Sequence, residues 1–326
     1  MHLPDRLQID SARAIVAELQ PPTPTLRWPL LEQQLARAPG DRTAVWVKHE
    51  NHTPVGAFKV RGGAVYLHEL MQRTPRPRGV ISATRGNHGQ SIALAAARHG
   101  LPATIVVPHG NSREKNAAMR ALGVNLVEHG EDFQAAREYA EAQAAEHGLH
   151  MVPAFHSLLL TGVATYSLEF LRAVPDLEVV YVPIGLGSSI CGMIAARNAL
   201  GLRTRIVGVV SAHAPAYARS FEARQVLSQP VATRLADGLA VRTPDPQALE
   251  ILLANVDHIV EVTDAGIAAA MRTIFECTHH VAEGAGAASL AAAMQEREQL
   301  GGRRVGTVLS GANVDREVFA RVLSTT

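Results

Sequence analysis

One lysine of this 326-residue chain follows a turn that could position a reactive amine. Lys59 lies in the segment 51–63, where a turn with proline and glycine separates an apolar strand from a helix. A lysine that forms a Schiff base must be uncharged part of the time, and burial beside Phe58 and Val60 would favour that state. On this segment alone, a solvated lysine on the first turn of a helix is the better explanation. Three further segments favour the reactive amine.

A second segment, 183–192, joins an apolar strand to a helix and is rich in glycine and serine. Glycine lets the backbone approach a ligand closely, and the amides at a helix N-terminus carry partial positive charge. We call it the phosphate loop because both features suit a phosphate group, although glycine-rich turns also serve packing alone. It lacks the lysine of a P-loop and the Gly-x-Gly-x-x-Gly spacing of dinucleotide folds. The pattern therefore favours a small phosphorylated ligand over a nucleotide.

A third segment, 82–90, is again a polar turn between a strand and a helix, and we call it the carboxylate loop. Its hydroxyl, amide and backbone N–H groups could bind a substrate carboxylate, although an ordinary helix N-cap explains Thr84 or Asn87 almost as well. The fourth feature is Ser310, at the end of the predicted strand 305–309. Alone, Ser310 indicates only a turn.

In this order and spacing, the four features resemble the fold-type II pyridoxal-phosphate enzymes, in particular the threonine/serine dehydratase and serine racemase group. The resemblance covers nearly the whole chain and includes the stretches 236–238 and 283–288. It implies pyridoxal 5'-phosphate as the cofactor and Lys59 as the catalytic residue that binds it covalently. The other cofactor-binding residues that it implies are Phe58 beside the ring, Asn87 at the phenolic oxygen, Ser310 at the pyridine nitrogen, Gly238, and Gly185, Leu186, Gly187, Ser188 and Ser189 at the phosphate. The implied substrate-binding residues are Thr84, Arg85, Gly86, His88 and Gly89.

The resemblance also implies a reaction. A serine hydroxyl that faces the pyridine nitrogen cannot keep it protonated as a carboxylate would, which favours prompt β-elimination over a long-lived carbanion. We therefore expect an ammonia-lyase, a dehydratase that converts a β-hydroxy-α-amino acid such as L-threonine, L-serine or 3-hydroxyaspartate to a 2-oxo acid and ammonia. Two alternatives stay open: a β-replacement synthase of the same fold, and a catalytically silent protein that binds pyridoxal phosphate.

Arg85 departs from the pattern of the serine racemases, which have a serine at this position as a second acid/base. A guanidinium stays protonated at neutral pH and cannot take a proton, so racemisation is disfavoured. Arg85 could bind a second carboxylate of the substrate, as in 3-hydroxyaspartate, or it could form a salt bridge between lobes. Both roles suit a fixed cation.

The segments that must position these residues alternate between strands and helices. The predicted strands are 45–48, 79–82, 103–107, 124–127, 179–182, 205–209 and 305–309. This alternation predicts an α/β fold with parallel sheets flanked by helices, in which ligands bind beyond the carboxyl ends of the strands. The resemblance implies the two-lobed architecture that is also called tryptophan synthase β-like. We expect a large cofactor-binding domain, 1–74 and 154–326, and a small domain, 75–153.

Composition argues against several classes of partner. Lys+Arg number 31 and Asp+Glu 30, and no long run has one sign, so nothing indicates nucleic acid or an anionic membrane as partner. No stretch reaches the roughly 18 apolar residues of a membrane helix, and we expect a cytoplasmic enzyme with a small amino-acid substrate. The resemblance implies a homo-oligomer, specifically a dimer. The histidines in 49–52 and 279–280 lack the spacing of a known metal motif, and we expect them on helix surfaces, with no metal site.

Overall fold

A computed structural model gives the structure of residues 1–325, which form ten β-strands and thirteen α-helices. The strands are β1 (Thr25–Arg27), β2 (Ala44–His49), β3 (Val80–Ala83), β4 (Ala103–Val107), β5 (Asn125–Glu128), β6 (His150–Met151), β7 (Val179–Pro183), β8 (Arg205–Ser211), β9 (His258–Val262) and β10 (Arg304–Leu309). The helices are α1 (Arg6–Ala17), α2 (Pro29–Leu35), α3 (Lys59–Met71), α4 (Asn87–Arg98), α5 (Arg113–Ala121), α6 (Phe133–His147), α7 (Ser157–Ala173), α8 (Ser188–Ala199), α9 (Ala216–Ala223), α10 (Pro246–Asn255), α11 (Asp264–Thr278), α12 (Gly284–Gln295) and α13 (Arg316–Ser324).

Six strands form one sheet in the order β1-β2-β10-β7-β8-β9, in which only the short edge strand β1 is antiparallel to its neighbour among the described residues. Successive side chains of a strand point to opposite faces. Val180 and Val182 therefore pack with α7 and α8, whereas Val179 and Tyr181 pack with α11 and α12. All of β7 is buried, as expected for a parallel strand that is covered on both faces.

Four further strands form a second sheet, fully parallel, in the order β5-β4-β3-β6. Ile105 of its strand β4 packs with α4, and Val106 packs with α6 on the opposite face. The expected α/β class with helix-flanked parallel sheets is confirmed. The domain bounds, 1–74 with 154–326 and 75–153, stay a prediction, and their last residue, Thr326, lies outside the described residues.

The strand order explains how three features of the sequence meet. The segment that contains Lys59 follows β2, Ser310 follows β10, and the phosphate loop follows β7. These three strands are adjacent and parallel, so their carboxyl ends lie at one edge of the sheet. The carboxylate loop follows β3 in the smaller sheet.

The structure also contains strands that the sequence pattern does not predict. β1 has only three residues and lies among several prolines, and β9 lies between two predicted strands in a region for which no strand was predicted. A strand as short as β1 gives too few residues for a period-2 pattern to be distinctive. Within residues 1–325, no helix combines the length and the apolar composition needed to cross a bilayer.

Candidate active site

Lys59 is the first residue of α3, and its amine reaches the phosphate loop. Its Nζ donates a hydrogen bond to Ser188 Oγ at 3.1 Å and lies 5.1 Å from the centroid of the Phe58 ring. Burial lowers the pKa of this amine to about 8, because desolvation disfavours the charged form. The uncharged amine is therefore accessible near neutral pH, as a Schiff-base lysine requires.

The chain has only three lysines, and the other two are held in ion pairs. Lys48 Nζ lies 2.7 Å from a carboxylate oxygen of Glu169, and the Lys48 side chain is fully buried. Lys115 Nζ lies 2.7 Å from Asp237 and 3.1 Å from Glu283. In the described part of the chain, Lys59 is thus the lysine that has no carboxylate partner.

Close helix packing fixes the start of α3. A Cβ atom on Gly162 of α7 would lie 2.2 Å from the carbonyl oxygen of Arg61, and one on Gly63 would lie 2.2 Å from Ser91 Oγ of α4. Ser91 Oγ also donates a hydrogen bond to the Lys59 carbonyl at 2.6 Å. Glycines at these contacts let α3 lie against both neighbours, and the first residue of α3 is held in place.

The phosphate loop has the backbone geometry of an anion site. Gly187 precedes α8 with φ of 106°, a conformation that favours glycine. A Cβ on Gly185 would lie 2.5 Å from the carbonyl oxygen of Gly238, so this part of the loop has room only for glycine. Ser188 and Ser189 open α8, where the first N–H groups have no intrahelical acceptor. Leu186 is fixed by its carbonyl, which accepts a hydrogen bond from Tyr217 Oη at 3.0 Å.

Ser310 and Phe58 are joined through the backbone. The N–H of Phe58 donates to the Ser310 carbonyl at 3.0 Å, which ties the turn before Lys59 to the end of β10. The Ser310 side chain is buried, and its hydroxyl makes one long contact, 3.4 Å, to the carbonyl of Ala285. The hydroxyl is therefore available for a stronger partner. Phe58 packs edge-to-face against Tyr166, with ring centroids 6.0 Å apart.

The carboxylate loop is partly closed on itself. The Thr84 hydroxyl accepts hydrogen bonds from the N–H groups of Gly86 at 2.9 Å and Gly89 at 3.3 Å. The N–H groups of Asn87 and His88, in the first turn of α4, have no intrahelical acceptor. His88 itself is buried, and burial lowers the pKa of its ring to about 3. The His88 ring is therefore neutral at physiological pH.

Arg85 is half-buried and makes no hydrogen bond or ion pair with any side chain among residues 1–325. The salt bridge between lobes, one of the two roles that the sequence left open, is therefore not formed. Its neighbour Gly86 adopts φ of 151° at the start of α4. A free guanidinium thus flanks the N-terminus of this helix, where anions are favoured.

A charged network beside the carboxylate loop was missed from the sequence. Asn87 Nδ2 donates to Glu283 Oε1 at 2.5 Å, and Glu283 pairs with Lys115, which also pairs with Asp237. Burial raises the pKa of Glu283. Burial opposes the charge of Lys115, but the two carboxylates outweigh it and raise the pKa of the amine. The one sequence signal was Glu283, a lone carboxylate in the small, apolar run 283–288.

Residues 16–311 match the sequence model of the pyridoxal-phosphate dependent enzymes. This chain belongs to that family. An L-threonine ammonia-lyase of Thermotoga maritima is 34% identical over 284 residues, which are 86% of this chain and 70% of that protein. Maize serine racemase superposes with a TM-score of 0.89 at 26% identity, over 98% of this chain and 97% of that chain. A pyridoxal 5'-phosphate-dependent aspartate racemase superposes with a TM-score of 0.90 at 25% identity, over 97% of this chain and 98% of that chain.

The residues of this pyridoxal-phosphate enzyme fit its cofactor. Glycines line the loop where a Cβ would collide with Gly238, free amides open α8, and an amine without a carboxylate partner lies against Ser188. The free amides at the start of α8 can bind a phosphate group, and the free amine of Lys59 can react with an aldehyde. Asn87 keeps one of its two amide hydrogens after the bond to Glu283, so it can still donate to a further oxygen.

Proposed function

We propose that this pyridoxal-phosphate enzyme is an ammonia-lyase for β-hydroxy-α-amino acids, with Lys59 as the catalytic residue. The observation that carries the proposal is the Lys59 amine, which is free of carboxylates, has a pKa near 8 and contacts the phosphate loop. The amide and side-chain donors of the phosphate loop, residues 185–189, would hold the cofactor phosphate, and Gly238 would border it. Phe58 would lie beside the ring, Asn87 would bind the phenolic oxygen, and Ser310 would face the pyridine nitrogen.

When bound, pyridoxal phosphate supplies an electron sink for the pair released from the Cα–H bond of the substrate. The Lys59 amine would hold the cofactor until substrate arrives and would then take the proton from Cα. Its desolvated position keeps this amine basic yet uncharged often enough to act. The hydroxyl would leave Cβ as water together with one proton, which balances the proton that Lys59 takes from Cα, and hydrolysis of the remaining enamine would give the 2-oxo acid and ammonia.

The first turn of α4 would bind the substrate carboxylate. Thr84, Gly86, His88 and Gly89 would surround it, although the Gly86 and Gly89 amides are already bound to the Thr84 hydroxyl. The free N–H groups of the first turn would then contribute most of the binding. Arg85 would bind a second carboxylate, which favours 3-hydroxyaspartate over threonine and serine.

Two residues argue against racemisation, although serine and aspartate racemases share this fold. A racemase needs a second base on the face opposite Lys59. Arg85 stays protonated, and the two carboxylates that raise the pKa of Lys115 keep its amine charged. Neither side chain can take a proton at neutral pH.

A substrate panel tests the proposed function. Threonine, serine, 3-hydroxyaspartate and phenylserine should yield ammonia and a 2-oxo acid in equal amounts. If serine and sulfide gave cysteine faster than serine gave pyruvate, the enzyme would be a β-replacement synthase. If the visible absorbance of the bound cofactor did not change on adding amino acid, the protein would be catalytically silent.

The cytoplasmic location and the dimer that were expected from the sequence remain proposals.

Replacing Arg85 with serine should lower kcat/KM for 3-hydroxyaspartate about ten- to a hundredfold more than for threonine. Charge-assisted hydrogen bonds are worth roughly 1.5–3 kcal/mol, and only the dicarboxylate substrate would lose them. Arg113→Ser, at an exposed arginine on α5, is the control and should affect both substrates alike. Equal losses on the two substrates in Arg85→Ser would contradict the proposal and return threonine or serine to first place.

Replacing Ser310 with aspartate should slow elimination and raise the long-wavelength absorbance of the holoenzyme with amino acid. A carboxylate at this position would keep the pyridine nitrogen protonated and stabilise delocalised negative charge in the ring. Ser310→Ala removes the hydroxyl without adding charge and is the control. If Ser310→Asp had the same spectrum and rate as Ser310→Ala, the electronic role of this position would be refuted.

A further inference from the structure

Three histidines converge beside the end of β10, although their sequence context predicts that they lie on helix surfaces. His49 ends β2 and pairs with Leu309, His52 lies in the 3-10 helix Glu50–His52, and His280 follows α11. One ring nitrogen of each lies within 4.8 Å of the corresponding atoms of the other two. We call these three residues the histidine cluster. His49 is fully buried, His280 is half-buried and His52 is exposed, so the cluster opens to solvent on one side.

The rings of the histidine cluster do not satisfy one another. Nδ1 of His49 and Nδ1 of His280 are both buried without a hydrogen-bond partner among residues 1–325. The carboxamide of Asn51 lies close to His49, but its Oδ1 is also buried without a partner of good geometry. Buried polar atoms without partners destabilise a fold and are rare in native proteins. The two imidazole nitrogens without a partner in the described part of the chain, in rings that lie side by side, point to a ligand shared by these rings.

The histidine cluster suits a cation. His49 is fully buried and His280 is half-buried, and desolvation disfavours the charged form of an imidazole. A neutral imidazole has one nitrogen lone pair to donate and does not repel a metal ion. The cluster shares no residue with the cofactor and substrate sites, so it is separate from the proposed catalysis.

We propose that His49, His52 and His280 bind a divalent transition-metal ion of the zinc class. Zinc prefers four ligands in a tetrahedron, with Zn–N distances of about 2.0–2.1 Å, and three imidazoles with one further oxygen ligand provide that set. Nitrogens around such an ion lie about 3.3 Å apart, so the present spacing of up to 4.8 Å closes with small ring rotations. Solvent beside His52 or the Asn51 carboxamide would supply the fourth ligand.

The ion would join two segments that flank the candidate active site. The turn after β2 carries His49 and His52 and continues to Lys59, and the segment after α11 carries His280 and continues to Glu283. A metal bound to both segments would crosslink them in the folded chain but not in the unfolded chain. The free energy of unfolding would therefore rise with the logarithm of the ratio of metal concentration to dissociation constant.

Trp28 provides a direct readout of metal binding. Its Nε1–H donates to His49 Nε2 at 3.0 Å, and its ring lies edge-on to His280 with centroids 5.6 Å apart. An indole nitrogen is only a donor, so His49 Nε2 accepts and Nδ1 carries the proton. A metal ion bound to His49 Nε2 takes the lone pair that accepts the indole hydrogen bond. A metal ion bound to Nδ1 moves the ring proton to Nε2, and two N–H groups then face each other without an acceptor. Binding through either nitrogen breaks the bond between Trp28 and His49.

The test is a titration of the holoenzyme with Zn²⁺, without amino acid, followed by calorimetry and by tryptophan fluorescence. We expect one equivalent of zinc per chain and a change in fluorescence on binding. His52→Ala and His280→Gln should each weaken binding by roughly 100-fold or more, since even partners outside the ligand shell cost 10–100-fold. His52 is exposed, so its variant should keep the fold, which the cofactor absorbance verifies.

Two further variants are matched controls. His279→Asn changes the exposed neighbour of His280, at φ of 55°, a conformation that asparagine tolerates, and should bind zinc as the wild type does. Trp28→Phe should keep the stoichiometry but lose most of the fluorescence change, because Trp46 is the only other tryptophan. The proposal is overturned if the wild type binds no stoichiometric zinc, which would leave ordered water as the partner of these nitrogens. It is equally overturned if His52→Ala and His280→Gln bind as tightly as the wild type.

Discussion

Replacing Lys59 with alanine is expected to lower turnover by about 10³-fold or more. The variant would lose both the covalent attachment of pyridoxal phosphate and the base that takes the α-proton, and catalysts of this kind lose orders of magnitude when removed. The cavity left by the side chain would border Ser188, which accepts the hydrogen bond of the wild-type amine. A small primary amine such as methylamine should therefore restore part of the rate in the variant but not add to the wild-type rate.

Borohydride reduction of the wild-type holoenzyme, followed by peptide mapping, identifies the attached lysine independently of turnover. The chain offers three lysines, so three outcomes are possible. Label on Lys59 is expected, whereas label on Lys48 or Lys115 would refute the assignment. Circular dichroism of Lys59→Ala should match that of the wild type, which separates a lost catalytic group from a lost fold.

A buried charge network holds the residues around Lys59, and breaking it should have the largest effect on stability. The Arg61 guanidinium, fully buried, donates to both carboxylate oxygens of Glu50, at 2.8 and 3.0 Å, and to both of Glu169, at 2.7 and 2.9 Å. Lys48 Nζ completes the network at 2.7 Å from Glu169 and 2.8 Å from the carbonyl of Thr23. Two cations thus balance two anions where strand β2, the turn after it, α3 and α7 meet.

Replacing Arg61 with methionine is expected to lower the free energy of unfolding by about 3–5 kcal/mol. The change would leave Glu50 and Glu169 with one shared cation in a desolvated site, and removing one partner of a buried ion pair typically costs this much. Arg61→Lys should recover only part of the loss, because an ammonium cannot donate to two carboxylates in the planar geometry of a guanidinium. Equilibrium unfolding in guanidinium chloride measures the free energy of unfolding of the wild type and of both variants.

The matched control is Arg137→Met, which removes an exposed i,i+4 ion pair with Glu141 on α6. Surface pairs of this kind contribute about 0.3–0.5 kcal/mol, so the control should unfold almost as the wild type does. A loss in Arg61→Met no larger than in Arg137→Met would show that the network is not needed for stability. Because Arg61 lies in the first turn of α3, we also expect the destabilised variant to bind the cofactor more weakly.

The class of fold follows from the amino-acid sequence alone, and the sequence also predicts the candidate site residues. Strand and helix patterns differ in period, and glycine or proline marks the turns between them, so β2, β3, β4, β5, β7, β8 and β10 were predicted to within two residues. The phosphate and carboxylate loops are each continuous in sequence, and their composition was enough to predict an anion ligand. Local residues determine local backbone geometry, so these features can be predicted from the sequence alone.

Which distant residues meet depends on the packing of the whole chain and cannot be read from local sequence. Asn87 and Glu283 are 196 positions apart, and their hydrogen bond depends on the packing of the two sheets and not on either local sequence. The same is true of the histidine cluster, whose members lie at the end of β2, in the 3-10 helix that follows it, and after α11. The free guanidinium of Arg85 was likewise decided by what surrounds it, since a salt bridge requires a carboxylate within reach. Strand order and helix packing bring such residues together or keep them apart, and no spacing rule along one chain encodes that distance.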